Sequence, residues 1–410
     1  MRRLLLISIA ILYTLAGCAQ NIKIDKIAIQ EDLNDLIQNI SNLYVYLGEK
    51  QVDIECIKEK YTSRIDDITT QGDVILFFEY LLNEFYDNHI SLNTNIRESY
   101  RLSSPIYVEI EGNKVIIKNV WQTQLENLEE NILKAEVMKF NQVDFNKMID
   151  DFPSMCQNKT LPEVRNWIAN KIISGKYSEP RILELKLLNG EIKKIDLDGL
   201  VFKKDDGLLS SQVMGDIGII RINNSLGNNY LITEFDKVLN DLMDTKGLII
   251  DLRNTNNGGN TYVAKGIMGR FIEKDLPYQK HQYVEQYDGQ PSINRSWLEI
   301  VSPRGALYKK PLVILVGRWT GSMGEGMAIG FDAMNRGKIV GTEMKRLAGS
   351  DFDFRFQNQN FAYKLILQKI YHIDGTPREM YIPLNYVSQS TITEDETLVK
   401  GIHLLKKMTK

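Results

Sequence analysis

Near its middle the sequence reads Gly247-Leu-Ile-Ile-Asp-Leu-Arg-Asn-Thr-Asn-Asn-Gly-Gly259, a short apolar run that leads into a glycine-rich turn. The run has no polar alternation, which is typical of a strand buried on both faces of its sheet. Runs of the same kind recur at residues 217–222, 311–316 and 338–340, and apolar residues at helical spacing fill the intervals between them. Strands that alternate with helices in this way predict an α/β core in which helices cover both faces of a parallel sheet.

Two polar loops follow the ends of these strands. The first is residues 251–259, and the second reads Arg318-Trp-Thr-Gly-Ser-Met-Gly-Glu-Gly326. In such sheets the reactive groups gather beyond the carboxyl ends of the strands. Within the second loop, Ser322 stands between small residues at the start of a predicted helix, where free N–H groups and the helix dipole can hold a developing oxyanion. Taken alone, a Gly-Ser pair is more simply an ordinary helix N-cap.

Together with their neighbours, the two loops resemble a known family. The segments Ile-Ile-Asp-Leu-Arg with Gly-Gly, Val-Ile-Leu-Val, Thr-Gly-Ser-Met-Gly-Glu and Ile-Val-Gly-Thr-Glu are similar in order and spacing to the tail-specific (C-terminal processing) and tricorn-core serine peptidases. The resemblance covers most of residues 201–410. It implies a crotonase/ClpP-like parallel-sheet core with Ser322 as the nucleophile, and it makes Asp251 and Arg253 braces of the first loop. The oxyanion hole is then expected from backbone N–H groups at Gly258, Gly259 and Met323.

The general base has two candidates, because the family uses two kinds of residue. One branch takes a lysine after Thr-x-Gly, downstream of the serine, and the tricorn-like branch takes a histidine from an upstream Asp-x-His. The chain reads Asp87-Asn-His89 upstream, which matches the second pattern, whereas Lys345 does not follow a glycine and residues 347–350 read Leu-Ala-Gly-Ser. A histidine with its ordinary pKa near 6.5 suits a base at neutral pH. His89 is therefore the predicted base.

A third catalytic residue is suggested near the end of the chain. The segment Glu379-Met-Tyr-Ile-Pro-Leu-Asn-Tyr-Val387 resembles the family's Glu-x-x-Gly-Val-x-Pro-Asp-x-Val, with Asn385 where aspartate is usual and without the glycine. The alignment makes Glu379 the residue that orients the base, and a surface salt bridge is the alternative. These departures leave open a catalytically inactive peptide-binding or scaffold lipoprotein of the same fold. Thioester hydrolysis on a crotonase-like fold is a further alternative, but it gives no reason for the insert described next.

Two further domains are predicted before the core at residues 201–410. Helical spacing indicates an N-terminal helical domain at residues 18–100, in which Asp73 caps a helix. Short strand patterns indicate a PDZ-like β-rich domain at residues 101–200, because residues 135–143 resemble the PDZ pattern Gly-Asp-x-Ile-x-x-Ile-Asn-Gly. The glycine-rich carboxylate-binding loop of PDZ domains is not recognisable, so a generic β-rich insert is the alternative. A PDZ-like module implies polypeptide substrates, which such modules bind as an added strand.

The N-terminus has the order of a signal peptide. Met1-Arg-Arg precedes an apolar stretch that begins at Leu4 and closes on Leu15-Ala-Gly-Cys18. The apolar stretch is too short to span a membrane as a helix. Leu-Ala-Gly-Cys resembles the bacterial lipobox, which implies a lipoprotein signal peptide at residues 1–17, lipidation at Cys18 and a periplasm-facing anchor in the cell envelope. An ordinary cleaved signal or a buried helix is the alternative.

Composition argues against several other classes of protein. The net charge is −3 and the charges are interspersed, so no basic stripe for nucleic acid is present. The four histidines are scattered and the three cysteines are not clustered, so no metal site and no cofactor are expected. Cys56 and Cys156 can pair in an oxidising compartment, but they fall in different predicted domains, and two separate buried thiols are an equal alternative.

Overall fold

The computed structural model describes residues 24–93, 96–287 and 289–409, and within them it is a mixed α/β protein with several sheets. The predicted signal peptide at residues 1–17 and Cys18 lie outside the described residues, so lipidation stays a prediction. None of the helices in these ranges is both long and apolar enough to cross a membrane.

The N-terminal region is helical and ends in a short strand. Its elements are α1 (Lys26–Leu43), α2 (Leu47–Lys50), α3 (Ile54–Arg64), α4 (Gln71–Asn83) and β1 (Ser91–Asn93). Aspartates cap α1 and α3, because the carboxylates of Asp25 and Asp53 accept the first free N–H groups of those helices. At α4 the cap is Thr70 rather than the expected Asp73, which lies at the third helical position and closes a capping box.

The following region is rich in strands, and the predicted runs near residues 106–118, 135–143 and 182–197 are all strands. The elements are β2 (Ile106–Glu111), β3 (Lys114–Val120), β4 (Glu136–Phe140), β5 (Val143–Asp144), α5 (Phe145–Asp150), α6 (Pro162–Ser174), β6 (Ile182–Lys186) and β7 (Ile192–Asp196). They form one sheet in the order β2-β3-β4-β6-β7, with β5 paired to β4, so β2 is an edge strand that faces α6. The relation of this module to PDZ domains stays a prediction.

The C-terminal half contains the predicted α/β core and a second sheet. Its elements are β8 (Leu209–Met214), β9 (Ile217–Ile222), α7 (Leu231–Asp241), β10 (Gly247–Asp251), α8 (Thr261–Met268), β11 (Leu276–Glu285), β12 (Ile293–Val301), β13 (Leu312–Val316), α9 (Met323–Ala333), β14 (Lys338–Gly341), β15 (Ser350–Arg355), β16 (Ala362–Tyr371), β17 (Asn385–Tyr386) and α10 (Glu396–Met408).

The core sheet has the order β17-β14-β13-β10-β9-β8, and all its neighbouring pairs are parallel except β8 with β9. Its residues alternate between two buried faces: Leu248 and Ile250 pack with α7, α8 and α9, whereas Ile249 packs with Leu405 of α10. Helices therefore cover both faces, as predicted. The carboxyl ends of β10, β13 and β14 meet at one edge, and this edge carries both polar loops.

The second sheet pairs a strand of the N-terminal region with strands of the C-terminal half. Its order is β1-β16-β11-β12, with β15 paired to β16, and Ser91 of β1 lies opposite Lys364 of β16. Side chains of α1 and α4, such as Leu36 and Phe78, share one hydrophobic cluster with Phe356 and Leu365. The N-terminal helices are therefore packed on strands from the C-terminal half, and this pairing places His89 just before β1.

Two ties fix the β-rich region to the helical region. Cys56 of α3 and Cys156, which follows α5, form a disulfide, so the structure decides a pairing that the sequence left open. Beside it, the buried Glu84 carboxylate accepts a hydrogen bond from the Tyr61 hydroxyl at 2.8 Å. The same carboxylate accepts backbone N–H groups at 2.6–3.0 Å from Met155, Cys156 and Gln157. Burial raises the pKa of Glu84, and these hydrogen bonds oppose the rise.

Replacing both cysteines, Cys56→Ser with Cys156→Ser, should lower the free energy of unfolding by about 2–5 kcal/mol. The reason is that the bridge closes a loop with a sequence separation of 100 residues. Guanidinium denaturation measures the effect. Reductant should move the wild-type midpoint to that of the double variant and leave the variant unchanged. If neither reductant nor the double substitution shifts the denaturation midpoint, the disulfide does not stabilise the fold.

Candidate active site

The two polar loops meet at Ser322. This serine stands directly before α9 with φ 48° and ψ −109°, a positive-φ conformation that costs free energy in a residue other than glycine. It is accommodated because Gly258 lies against it: a Cβ on Gly258 would come within 2.4 Å of the Ser322 Cβ. Gly258 itself has φ +65°, so a larger residue would be both strained and obstructed. The candidate nucleophile and the glycine-rich turn therefore form one unit.

The backbone N–H groups of Met323, which follows Ser322, and of Gly259, which follows Gly258, have no acceptor among the described residues. The Met323 amide is one of the free groups that every helix N-terminus has, and a Cβ on Gly258 would lie 3.0 Å from it. The Gly258 amide, by contrast, donates to the Thr255 carbonyl at 3.0 Å. Of the three predicted oxyanion residues, Met323 and Gly259 thus keep a free donor, and Gly258 supplies space.

Glu325 ties the nucleophile to a second segment. Its fully buried carboxylate accepts the Ser322 N–H at 2.8 Å and the Arg346 N–H at 2.8 Å. The Leu347 N–H lies 3.3 Å from the same carboxylate. Burial raises the pKa of Glu325 to about 7, against the Arg378 charge and these N–H groups. Glu325 was not among the predicted site residues, although a glutamate three residues after an N-cap serine is the capping-box signal.

His89 is held from two sides. Its backbone N–H donates to Asp87 at 2.9 Å, and the other oxygen of Asp87 accepts the Tyr44 hydroxyl at 2.9 Å. Its ring Nδ1 lies 2.7 Å from the Ala348 carbonyl. A carbonyl only accepts, so Nδ1 carries the proton and Nε2 of the neutral ring is the basic nitrogen. This is the tautomer that a general base requires.

The carboxylate beside the His89 ring belongs to Asp351, with Oδ1 3.4 Å from Nε2. Burial lowers the pKa of His89, and Asp351 opposes that effect. Sequence reasoning did not single out Asp351, because its place beside His89 depends on the pairing of β1 and β15 with β16.

Glu379 lies in the same cleft as Ala348 and Asp87. Its carboxylate faces Tyr46, and burial raises its pKa. Among the contacts of described residues, no hydrogen bond or ion pair joins Glu379 to His89. Its role as third catalytic residue therefore stays a prediction.

Arg378, the neighbour of Glu379, organises the segment that carries Ala348. This side chain is only 2% exposed, and its Nη2 donates to the carbonyl of Leu347 at 2.9 Å and to that of Gly349. The carbonyls on both sides of Ala348 thus bind Arg378, and the carbonyl of Ala348 receives His89. No carboxylate of the described residues lies within 4.0 Å of the guanidinium. Sequence reasoning missed Arg378 because no motif marks it.

Lys345, the rival base, is also close to the nucleophile loop. Its Nζ donates to the side chain and the backbone carbonyl of Asn256, at 2.9 and 3.2 Å. Its Cδ would lie 3.1 Å from a Cβ on Gly321, the residue before Ser322. Burial lowers the pKa of Lys345 to about 8, opposed by Glu325. Within the described residues no hydrogen bond joins the Ser322 hydroxyl to Lys345 or His89.

Asp251 and Arg253 brace the first loop, as predicted. Two nitrogens of Arg253 bind the two oxygens of Asp251 at 2.8–2.9 Å, and Arg221 binds Asp251 at 2.9 Å. Arg253 also binds both oxygens of Asp395 at 2.6 and 2.8 Å. Burial alone would raise the pKa of Asp251, but the two guanidinium groups outweigh burial and lower it. These ion pairs hold the first loop in place, so the role of Asp251 and Arg253 is structural.

Comparison with known proteins gives two domain matches. The model of Peptidase family S41 matches residues 216–382, and the model of the Tricorn protease C1 domain matches residues 26–83. None of the curated proteins compared with the chain matches it.

Solved structures share the fold over almost the whole chain. Mature CPAF has a TM-score of 0.61 at 13% identity, over 94% of this chain and 97% of its own. The photosystem II D1 C-terminal processing protease has a TM-score of 0.56 at 12% identity, over 93% of this chain and 97% of its own. A peptidase described as putative, from Parabacteroides merdae, has a TM-score of 0.56 at 15% identity, over 92% and 96%. The domain matches thus place a peptidase domain of family S41 at residues 216–382 and a tricorn C1 domain at residues 26–83, in a chain that shares the fold of mature CPAF and of the D1 C-terminal processing protease.

Proposed function

We propose that the protein is an endopeptidase that hydrolyses peptide bonds of exported, extended or unfolded polypeptides through an acyl-enzyme on Ser322. The observation that carries the proposal is the strained Ser322 packed on Gly258 beside the unused N–H group of Met323. Strain at a helix N-terminus with free donors is typical of a nucleophile and unnecessary for an ordinary cap.

The proposed reaction is acyl transfer to water in two steps. The Ser322 hydroxyl attacks the peptide carbonyl while Nε2 of His89 takes its proton, and the amides of Met323 and Gly259 stabilise the oxyanion. His89 then gives the proton to the leaving amine, and the acyl-enzyme forms. In the second step His89 takes a proton from water, the hydroxide attacks the ester, and the proton returns to Ser322. Asp351, whose Oδ1 lies 3.4 Å from Nε2, is placed to stabilise the imidazolium that forms, and Glu379 is the carboxylate that the sequence predicts to orient the base.

The tautomer of His89 supports it as the base, because the Ala348 carbonyl holds the proton on Nδ1 and leaves Nε2, with Asp351 3.4 Å away, as the basic nitrogen. Catalytic hydrogen bonds often tighten only when substrate binds, so the lack of a Ser322–His89 hydrogen bond among the described residues is compatible with this role. Lys345 is the competing candidate, since it too reaches the nucleophile loop.

Strand addition at β2 is blocked, because polar groups on the free edge of that strand are already hydrogen-bonded to α6. Asn170 of α6 accepts the Val108 N–H at 3.0 Å and donates to the Val108 carbonyl at 2.9 Å. Asn166 accepts the Ile110 N–H at 2.7 Å. These are the groups that an added strand would need. We therefore propose that the scissile segment binds in the cleft between residues 87–91 and the nucleophile loop.

Ser322→Ala should abolish hydrolysis of an unfolded protein substrate while the fold persists, because the hydroxyl is lost and little packing changes. The expected loss in turnover is on the order of 10⁴- to 10⁶-fold. A fluorophosphonate should label the wild-type protein at Ser322, located by mass spectrometry, and should not label the variant. An inactive scaffold predicts no labelling and no turnover by either protein, and near-normal turnover by the variant would refute the nucleophile.

The pH profile should identify the base. If His89 is the base, kcat/KM should rise with pH through a transition below 6.5, because burial lowers its pKa and only the neutral ring accepts a proton. A Lys345 base would place the transition near its pKa of about 8. His89→Gln should lose about as much activity as Ser322→Ala, and Lys345→Met should keep most of it.

Glu325→Gln is the control for this pH profile, because the Glu325 carboxyl is hydrogen-bonded to the Ser322 N–H and has a pKa of about 7. The transition of His89 should persist in that variant. If Lys345→Met is inactive and His89→Gln active, the lysine is the base and His89 is structural.

Export and lipid anchoring at Cys18 are part of the proposal. They are supported by the Leu15-Ala-Gly-Cys18 motif and by the Cys56–Cys156 disulfide, because disulfides persist in oxidising compartments. Cells fed an alkyne fatty acid should label the wild-type protein, and Cys18→Ala should lose both the label and the membrane fraction. A variant that keeps the label would contradict the anchor.

A further inference from the structure

A cleft of about 740 Å³, open to solvent, lies between the His89 segment and the nucleophile loop. Its walls come from residues 87–91, from residues 101–107 and from α6. Four cationic side chains border it, namely Arg101, Lys171, Arg318 and Lys345.

Two of these cations are neutralised by carboxylates of the protein. Arg101 lies 3.2 Å from Asp198, and Lys171 lies 3.0 Å from Glu79. These ion pairs compensate the charges of Arg101 and Lys171, so the two side chains attract an anionic ligand only weakly.

Arg318 and Lys345 differ, because no carboxylate of the described residues lies within 4.0 Å of either. Asp87 is the acidic residue among the described lining of the cleft, and its oxygens are occupied by the Tyr44 hydroxyl and the His89 N–H. Arg318, which belongs to the loop that carries Ser322, and Lys345 thus keep positive charges that no carboxylate within 4.0 Å compensates. A cleft whose lining has more cations than anions attracts a negatively charged ligand.

Arg318 is also held rigidly in place. Its guanidinium lies 3.7 Å above the Tyr107 ring, and Nη1 donates to the Met344 carbonyl at 2.7 Å. The next residue, Trp319, is anchored by its Nε1, which donates to the Ser104 carbonyl at 2.9 Å. An arginine has five N–H donors in a planar fork, so this arrangement leaves donors for a planar, bidentate acceptor.

We propose that Arg318, assisted by Lys345, forms a subsite that binds a carboxylate of the substrate chain close to the scissile bond. This inference rests on the proposed function and adds a substrate preference to it. The carboxylate can come from an aspartate or glutamate side chain or from the free C-terminus, and both present the same acceptor geometry. Because the subsite lies in the loop that carries Ser322, its occupant is expected within a few residues of the bond that is cut.

Binding of peptides to the inactive Ser322→Ala protein tests the subsite without relying on catalysis. The probes are extended peptides in which one glutamate is moved along the sequence, their glutamine counterparts, and versions with a free or an amidated C-terminus. One position, or the free terminus, should bind on the order of 10- to 100-fold more tightly than its neutral counterpart. Which arm shows the gain identifies the source of the carboxylate.

Arg318→Gln in the same protein should remove that gain, and Arg318→Glu should reverse it toward peptides with lysine at the same position. Arg101→Gln is the matched control, because it removes a cation of the same cleft that Asp198 already neutralises, and it should keep the gain. Equal binding of acidic and neutral peptides in every arm, or a gain that survives Arg318→Gln, would overturn the subsite. A binding gain in a protein whose wild type neither cleaves peptides nor reacts with fluorophosphonate would sustain the subsite and sink the peptidase reaction.

Discussion

The geometry of the candidate site depends on one buried cation. Arg378 binds the carbonyls of Leu347 and Gly349, and the carbonyl between them fixes the ring of His89. Burying a guanidinium without an ion pair is costly unless hydrogen bonds replace water. The hydrogen bonds of Arg378 to the carbonyls of Leu347 and Gly349 offset part of this cost and hold residues 347–349 in one arrangement. The orientation and tautomer of the proposed base thus follow from a residue that need not touch substrate.

Residues 345–350 link the nucleophile loop to His89. The backbone of this segment binds Glu325 through the N–H groups of Arg346 and Leu347, and Lys345 N–H donates to the Thr320 carbonyl at 2.9 Å. Glu325 has a folded-state pKa of about 7, above its ordinary 4.5, so the folded protein favours the protonated carboxyl. Its stabilising contribution is complete below pH 4.5 and is lost as pH rises through about 7. At neutral pH the ionised carboxylate therefore costs stability, while it offers its full set of acceptors to the nucleophile loop.

The sequence predicted the parts of the structure that depend on local pattern. The strands β9, β10, β13 and β14 were predicted because a strand buried on both faces is a continuous apolar run, and Ser322 because its loop matches a family in order and spacing. The sheet of β1, β11, β12, β15 and β16 was not predicted, since its strands mix exposed and buried residues and its pairing joins Ser91 to Lys364. Asp351 and Arg378 were missed for the same reason: their partners lie far away in sequence, and no spacing rule connects them.

The β-rich region contacts both polar loops of the candidate site. Trp121 stacks on Trp319 at 5.3 Å with ring planes 3° apart, and its Nε1 donates to Asn254 at 3.2 Å. Trp121, a residue of the β-rich region, therefore contacts both polar loops. Tyr107 of the same region packs against the Arg318 guanidinium. Deleting residues 104–198 would remove these supports together with any docking surface. Loss of activity after such a deletion would follow equally from lost substrate binding and from a displaced nucleophile loop. Single substitutions of Arg318, by contrast, leave Trp121 and its contacts in place.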